Sequence, residues 1–306
     1  MSSMNDAHPA PGVVEYALLA GVSLTWGTSY MFTKIAVGAV APFTLIAVRA
    51  AIAAVVMLAI ASLRGARLRF APRDLAAFAL VGLMANAAPL CLIAISVSHV
   101  DSSVTATTMA LVPLITAFLA IFRGEYPKLR NIVGILVGLA GIVVLFGPAA
   151  FASFGDSARG AIAAIAASVI FSASLFAIAL VRHHPPMTVA TASLTACALW
   201  TIPLALVVEG VPALPAPGVV GAVLVLGFWN TAFSNLLMFA LVPRAGPTFT
   251  SYNNYLVPAI AVLCGVLFLR EPLTWQSSTG VVLVLAGVAI STIQRRNPAA
   301  GLPPPA

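Results

Sequence analysis

The feature that most constrains this chain is a series of ten apolar windows of about 20 residues, separated by short segments that hold nearly all the charged side chains. At about 1.5 Å per residue, a helix of this length crosses a hydrocarbon core of about 30 Å. Each window can span the core as a single helix. The sequence therefore predicts an all-α membrane protein with ten transmembrane helices. The predicted spans are residues 14–34, 42–62, 74–97, 102–122, 129–147, 159–181, 187–208, 217–241, 246–268 and 275–293.

The composition excludes an ordinary soluble globule. Charged residues make up 8% of the chain, the apolar fraction is 61% and the mean hydropathy is +1.07, whereas about a quarter of a soluble domain is charged. The longest connection runs only from Leu63 to Arg73 and leaves no room for a soluble domain. The three cysteines lie inside apolar windows without paired spacing, so we expect no disulfide framework, no metal site and no cofactor.

The excess of basic residues is explained by orientation in a membrane, and we expect no nucleic-acid partner. With a cytoplasmic N-terminus, eleven Lys and Arg residues lie on the inner side and three on the outer side, as the positive-inside rule requires. Residues 1–13 and 294–306 are then cytoplasmic tails. The first 14 residues carry no Lys or Arg, so we expect no cleaved signal peptide. The inner residues are Arg64, Arg67, Arg69, Arg73, Arg123, Lys128, Arg130, Arg182, Arg244, Arg295 and Arg296, and the outer residues are Lys34, Arg159 and Arg270.

The chain resembles itself when it is shifted by 144 to 146 residues. The order of the matches predicts two repeats, residues 14–147 and residues 159–293, with five helices each. Five is an odd number, so the second repeat starts from the opposite side of the membrane. The fold predicted is two inverted five-helix repeats, an arrangement typical of transporters that bind substrate near the midplane. The matching positions are Pro42 with Pro186, Gly82 with Gly227, Pro113 with Pro258, Glu125 with Glu271, Gly134 with Gly280 and Gly141 with Gly287.

Arg49 is the one charged residue well inside a predicted span. It lies seven residues past Pro42, roughly 10 Å into the second helix, where an unpaired charge costs at least ~2.5 kcal/mol. It should face a partner or a water-filled cavity. Capture of a substrate carboxylate or phosphate and bonding to backbone carbonyls of a neighbouring helix are both open interpretations. The aligned position in the second repeat is Ser193, so only one half supplies this charge.

Uncharged polar and aromatic side chains at mid-depth form a second group of candidates for substrate binding. Amides and hydroxyls beside aromatic rings suit a small zwitterionic or neutral solute with an apolar part. Interhelical hydrogen bonding, worth about 0.6 kcal/mol per contact, explains the same residues without a substrate. The candidates are Trp26, Tyr30, Asn86, Thr108, Trp229, Asn230, Asn253 and Asn254.

Three further patterns bear on mechanism. Pro113 and Pro258 are equivalent and interrupt helices 4 and 9, either as hinges of a gate or as static kinks. Every Asp and Glu lies at or beyond a span edge, which favours facilitated export or coupling through an edge residue such as Glu15, although interfacial charges and helix caps also explain such acids. The glycine runs of helices 5 and 10 are expected to pack within each half rather than at a dimer face.

Along nearly its full length the chain resembles the drug/metabolite transporter superfamily, in particular its ten-helix EamA-domain branch. The Glu-Pro-Leu-Thr-Trp run is the most specific match. This resemblance implies an inner-membrane permease with both termini cytoplasmic, which usually exports amino acids or related metabolites. The matching residues are Trp26-Gly27-Thr28-Ser29, Pro42 with Arg49, Pro113 with Gly124-Glu125, and Pro258 with Arg270-Glu271-Pro272-Leu273-Thr274-Trp275.

Competing function classes make different demands on the residues. A multidrug or cationic compound exporter is the alternative transporter. An intramembrane enzyme needs a nucleophile with a base, or a metal, at bundle depth, and the spans contain no Asp, Glu or His there; we therefore expect no enzyme and no catalytic residue. A scaffold would not need polar midplanes in both halves. The expected partners are a small-molecule substrate and the lipid bilayer, and the expected state is a monomer or weak dimer.

Overall fold

The structure is a computed structural model that describes residues 11–65, 70–123, 129–152, 156–212, 215–250 and 252–292. All regular elements within these ranges are helices. The predicted tails therefore lie almost wholly outside the described residues. The α-helices are α1 (Val13–Val37), α2 (Pro42–Leu63), α3 (Pro72–Val81), α4 (Ala88–His99), α5 (Ser102–Met109), α6 (Val112–Leu119), α7 (Leu129–Ala152), α8 (Asp156–Ile178), α9 (Pro186–Val208), α10 (Pro217–Gly227), α11 (Ser234–Thr250), α12 (Asn253–Leu269) and α13 (Trp275–Thr292).

Several of these helices join end to end into segments long enough to cross a bilayer. Six segments combine the length and the apolar composition of membrane spans, and three shorter apolar helices accompany them. The six are Pro42–Leu63, Pro72–His99, Ser102–Leu119, Ser157–Val181, Pro186–Val208 and Pro217–Ala245, and the shorter ones are Ile132–Leu145, Asn253–Leu269 and Trp275–Ile290.

Two of the long segments contain a single π-helical stretch, one in each predicted repeat. Gly82–Ala87 joins α3 to α4, and Phe228–Phe233 joins α10 to α11. A π turn widens the helix by one residue and changes which side chains face inward. In the second stretch the Thr231 hydroxyl donates to the carbonyl of Leu226, five residues earlier, at 2.7 Å. The period of the apolar residues did not reveal either stretch.

Contacts recur at the same spacing that relates the two sequence repeats. The Ser23 hydroxyl donates to Asn253 Oδ1 at 2.8 Å, and the Ser168 hydroxyl donates to the Thr108 carbonyl at 3.1 Å. Ser168 follows Ser23 by 145 residues, and Asn253 follows Thr108 by 145. The first and the sixth predicted spans therefore hold their partner helices by corresponding contacts.

The aligned glycines of the third and eighth spans make a second pair of corresponding contacts. A Cβ at Gly82 would lie 2.5 Å from the Cβ of Ala196, and one at Gly227 would lie 2.6 Å from the Cβ of Ile52. Ile52 and Ala196 are themselves separated by 144 residues. Each glycine thus lets its helix approach the second helix of the other predicted repeat.

The glycines of α7 and α13 pack against each other, so the expectation that they pack within each half was wrong. A Cβ at Gly141 would lie 2.7 Å from the backbone nitrogen of Val284, and one at Gly287 would lie 2.6 Å from the carbonyl oxygen of Gly134. The two runs let two backbones from different predicted repeats approach closely. Sequence spacing gives the face of a helix but not the helix opposite.

Glu271 ties α5 to the start of the last span. Its two carboxylate oxygens accept hydrogen bonds from the backbone N–H groups of Ser102 and Ser103 at 2.7 and 3.1 Å and from both hydroxyls at 2.6 Å. The carboxylate is buried and covers the positive end of the α5 dipole. Arg270 takes a left-handed conformation with φ 56° and so turns the chain from α12 toward this position.

Two other charged side chains act on helix ends at the same end of the bundle. Lys34 Nζ donates to the carbonyls of Val97 and Val100 at 2.6 and 2.7 Å, where α4 ends. The Glu209 carboxylate accepts from the backbone N–H groups of Phe43 and Thr44 at 3.0 and 2.7 Å, where α2 begins. Each charge opposes the partial charge of the helix end it contacts.

The break predicted at residues 242–245, between the eighth and ninth spans, lies inside α11, which continues to Thr250. Relative to α1, the chain nevertheless reverses its direction between Leu237 and Asn253. Contacts with α1 run antiparallel to it along the first part of α11 and parallel to it along α12. The contacts are Trp26 with Ser234, Gly21 with Leu237, Ser23 with Asn253, and Gly27 with Ile260.

Gly287→Ala should destabilise the protein, because the new methyl group would meet the backbone of Gly134 and Gly138, each 2.6 Å away, rather than a flexible side chain. Overpacking of this kind costs about 1–3 kcal/mol. The control is Gly221→Ala, at a helical position with nothing within 4 Å of the added Cβ. Thermal unfolding in one detergent should show a lower midpoint only for Gly287→Ala, and equal midpoints would contradict this packing.

Glu271→Gln should also lower the unfolding midpoint, because an amide presents N–H donors to a site where four donors converge. Leaving buried donors without an acceptor costs at least about 1–3 kcal/mol. The control is Glu15→Gln, since within the described residues Glu15 accepts a single bond, from Gly12 N at 2.9 Å, at an exposed helix start. If both variants unfold together with the unsubstituted protein, Glu271 does not hold α5.

Candidate functional site

Helix α1 makes side-chain hydrogen bonds to both α11 and α12. The indole Nε1 of Trp26 donates to the Ser234 hydroxyl at 3.0 Å, and Ser23 donates to Asn253 at 2.8 Å. Gly27 permits the close approach of α12, since a Cβ there would lie 2.6 Å from the Cβ of Ile260. Ser23 and Trp26 are three residues apart, so the two contacts lie on the same face of α1 and bring Trp26 and Asn253, two of the predicted site residues, to that face.

Asn230 lies in the π-helical stretch and points at α1. Its side chain is 1% exposed, and its Nδ2 donates to the carbonyl of Thr25 and, at 2.9 Å, to the hydroxyl of Thr28. The carbonyl of Thr25 can only accept, which fixes the amide orientation. The Oδ1 atom of Asn230 is buried and has no hydrogen-bond partner among the described residues. Asn230 is therefore an interhelical tie that also holds a free acceptor.

Arg49 is buried in α2, with 5% of its surface exposed. Its Nε donates to the Thr231 hydroxyl at 2.8 Å, across to the π-helical stretch. Its guanidinium also lies within electrostatic reach of Tyr30 and Cys197. Within the described part of the chain Arg49 makes no other hydrogen bond and no ion pair, so the donors on its two terminal nitrogens stay available. Of the two interpretations of Arg49, bonding to backbone carbonyls of a neighbouring helix is not seen among the described residues, where its bond goes to a hydroxyl.

Tyr30 belongs to an apolar cluster, whereas Thr108 makes polar contacts between helices. Tyr30 is buried with Ile93, Val97 and Ala106, and Trp26 packs against the same cluster. The Thr108 hydroxyl donates to the carbonyl of Val104 within its own helix at 2.9 Å, and its carbonyl accepts from Ser168. The polar groups of Thr108 are therefore used in helix packing.

Three other predicted residues are not joined to this network. Asn86 is half-buried in the first π-helical stretch, and Asn254 is half-buried at the start of α12. Trp229 is 38% exposed and stacks on Phe233, with ring centroids 4.6 Å apart. In the ranges that the structure describes, none of the three hydrogen-bonds to the other candidates.

The two predicted hinge prolines lie in different local structures. Pro113 is the second residue of α6, directly after the interruption that ends α5 at Met109. Pro258 lies inside the continuous helix α12 and is buried. The interruption of the second repeat comes earlier, between Thr250 and Asn253.

The network depends on three small hydroxyl residues that were not among the predicted site residues. Thr231 accepts from Arg49, Ser234 accepts from Trp26, and Thr28 accepts from Asn230. Thr231 directly follows Asn230, Thr28 lies two residues from both Trp26 and Tyr30, and Ser234 lies one helical turn after Asn230. A search for hydroxyls one helical turn from each candidate would have found only Ser234 of these three.

Outside the spans, Asp101 begins α5 beside Glu271 and Lys34. Burial raises the pKa of Asp101, the negative charge of Glu271 raises it further, and Lys34 opposes both. Asp101 therefore holds its proton to a higher pH than an exposed aspartate does.

Comparison with known proteins gives consistent results. The model of the EamA-like transporter family matches residues 14–147 and 158–293. An uncharacterized transporter of Archaeoglobus fulgidus is 24% identical over 284 residues, which cover 92% of this chain and 99% of the relative. The uncharacterized inner membrane transporter YedA of Escherichia coli K12 is 25% identical over 280 residues, with coverages of 91% and 90%.

The fold also matches a solved crystal structure. That structure superposes with a TM-score of 0.65 at 22% identity, over 91% of this chain and 96% of the other. The resemblance seen in the sequence is confirmed, and the comparisons together with the apolar helices identify a multi-pass membrane protein and point to a transporter rather than an enzyme. Since the two matched stretches make up most of its length, the chain belongs to the EamA-like transporter family.

Proposed function

We propose that this protein is an inner-membrane permease that exports small metabolites carrying a carboxylate, amino acids above all, by alternating access between its two halves. The observation that carries the substrate class is the buried guanidinium of Arg49, which has one hydroxyl partner, Thr231, and no counter-charge among the described residues.

A buried guanidinium with spare donors needs an anion or water. Removing a charge from water is costly unless it gains a partner, and in this chain the described residues supply only a neutral one. The planar fork of an arginine matches the two oxygens of a carboxylate. A substrate carboxylate would therefore complete the contacts of Arg49 and recover part of the cost of burying it.

Asn230 supports a zwitterionic substrate. Its Oδ1 is a buried acceptor that has no donor in the described part of the chain, and Asn230 directly precedes Thr231, which binds Arg49. A substrate ammonium group would supply the missing donor once the halves part and expose this face. The rings of Trp26 and Tyr30 border the same region and suit the apolar part of an amino acid. In this proposal Asn253, Asn86, Asn254, Thr108 and Trp229 line the path rather than bind the charged groups.

A cationic drug fits this site less well. The positive charge of Arg49 would repel it, and the repulsion is strong where water is excluded. The described part of the spans offers Arg49 no buried carboxylate that would neutralise it. We therefore favour amino-acid export over the export of cationic compounds.

Alternating access follows from the proposed architecture of ten helices in two inverted repeats, residues 14–147 and 159–293. The corresponding contacts of Ser23 and Ser168 support this architecture. So does the direction of the helices: Lys34, near the end of α1, and Gly160, near the start of α8, both contact Val100. The two helices thus run in opposite directions, as an odd number of helices per repeat requires.

The orientation and the energy source are also proposals. The balance of basic residues supports cytoplasmic termini, and the relative YedA is named an inner membrane transporter. Acidic groups of the described spans lie near their ends, which supports facilitated export down a gradient. We further propose that Pro113 and Pro258 are hinges, since α6 begins at an interruption one residue before Pro113.

Arg49→Gln should abolish recognition of the carboxylate while the fold is kept, because glutamine can still meet the Thr231 hydroxyl. Purified protein would be heated with each of a panel of amino acids and with the carboxamide of each. A ligand present at 100 times its Kd stabilises the native state by about 2.7 kcal/mol. We expect an amino acid, but not its carboxamide, to raise the melting temperature of the wild type, and neither to raise that of Arg49→Gln.

The matched control is Arg64→Gln, which removes an exposed arginine from the far end of the same helix. It should respond to amino acids as the wild type does. The substrate class would be wrong if the carboxamides stabilised the wild type equally well, or if Arg49→Gln kept the full response to the acids.

A further inference from the structure

Three side chains with metal-binding atoms meet at the end of the bundle opposite Lys34. Asp74 lies in the first turn of α3, and His183 and His184 lie just before α9. The His184 Nε2 is 3.4 Å from Asp74 Oδ2, and the His183 Nε2 is 3.6 Å from Asp74 Oδ1. All three ligand atoms lie within 4.8 Å of one another. The expectation of no metal site rested on the spacing of the cysteines, and this cluster was missed because 109 residues separate Asp74 from His183.

These separations fit ligands of one metal ion better than hydrogen bonds. With bonds of about 2.0–2.1 Å to nitrogen and oxygen, tetrahedral ligands lie about 3.3–3.4 Å apart. The observed 3.4 and 3.6 Å are close to this spacing. Neither contact is a hydrogen bond, and the two histidines address different oxygens of the same carboxylate.

The second histidine is held in place with its ligand atom free. The ring of His184 packs against Phe70 and Phe78, with ring centroids 5.7 and 5.2 Å away. Its Nε2 is buried and has no hydrogen-bond partner among the described residues. A buried nitrogen without a partner is costly, and a metal ion would satisfy it. Asp74 is buried as well, so two of the three ligands are preorganised.

The cluster is open on the side of the other histidine. The His183 side chain is 55% exposed and borders a surface cleft between Leu80 and Leu180. An ion could enter there, and water could take the fourth position. Among the described residues the competing positive charge is Arg73, whose Nε lies 3.9 Å from Asp74 and whose side chain is 88% exposed, where such pairing is weak.

We propose that Asp74, His183 and His184 form a binding site for a divalent transition metal of the Zn²⁺ class. Asp74 comes from the first family repeat, and the two histidines come from the second. A bound ion therefore joins the two repeats at this end and stabilises the arrangement in which the end is closed.

The test is titration of purified full-length protein with Zn²⁺ against a metal-binding dye, together with the absorption spectrum of bound Co²⁺. We expect one high-affinity ion per chain and an intense tetrahedral Co²⁺ spectrum. Loss of one ligand, in Asp74→Asn, His183→Gln or His184→Gln, should weaken Zn²⁺ binding at least about tenfold, the smallest loss typical of damage to a metal site. The control is His99→Gln, whose histidine lies at the other end of the bundle, next to Ser98.

His183→Gln is the decisive variant, because His183 is the most exposed of the three and its loss should leave the fold intact. The proposal is overturned if the wild type does not bind Zn²⁺, if His183→Gln binds it as tightly as the wild type, or if His99→Gln loses as much affinity. The readout needs no transported solute, so it stands or falls independently of the amino-acid export proposed above.

Discussion

Inside a bilayer a polar group has no water to bond to, and most contacts across the middle of this protein follow from that constraint. Hydroxyls such as Ser168 donate either to a carbonyl of their own helix or to a neighbouring helix. Asn230 uses both amide hydrogens on α1. Among the described residues of the middle of the bundle, the terminal nitrogens of Arg49 and the Oδ1 of Asn230 have no hydrogen-bond partner, and Arg49 bonds to Thr231, the residue after Asn230. The proposed binding site rests on these groups.

Close approach of the helices makes these bonds possible. Gly27 brings α12 against α1, and Gly82 and Gly227 bring the third and eighth spans against their partners. At the two ends, charges replace glycines as the connecting groups: Glu271 holds the start of α5, and Asp74 meets the two histidines at the other end. Apart from the bond from Arg49 to Thr231, the described contacts in the middle of the bundle are neutral, whereas those at its ends involve titratable groups.

The helical class and the depth of Arg49 could be predicted from the sequence, because apolar length and charge are local properties. The family could be predicted from the matching motifs. The sequence also revealed its own repeat at a shift of about 145 residues, the spacing at which the contact of Ser23 with Asn253 recurs as that of Ser168 with Thr108. It could not reveal which helices face each other. The glycines of α7 and the distant trio around Asp74 were therefore misassigned or missed, and Asn86 and Trp229 were included only for their depth.

The central claim is that amino acids cross this protein by exchange between its two faces without a driving ion. Counterflow in proteoliposomes tests it most directly: vesicles are preloaded with unlabelled amino acids at equal pH on both sides, and uptake of the labelled amino acid is followed. The account predicts rapid, transient accumulation of the label, as in exchange through a site open to one side at a time. Absence of exchange for every amino acid, with uptake only under an imposed pH gradient, would contradict it.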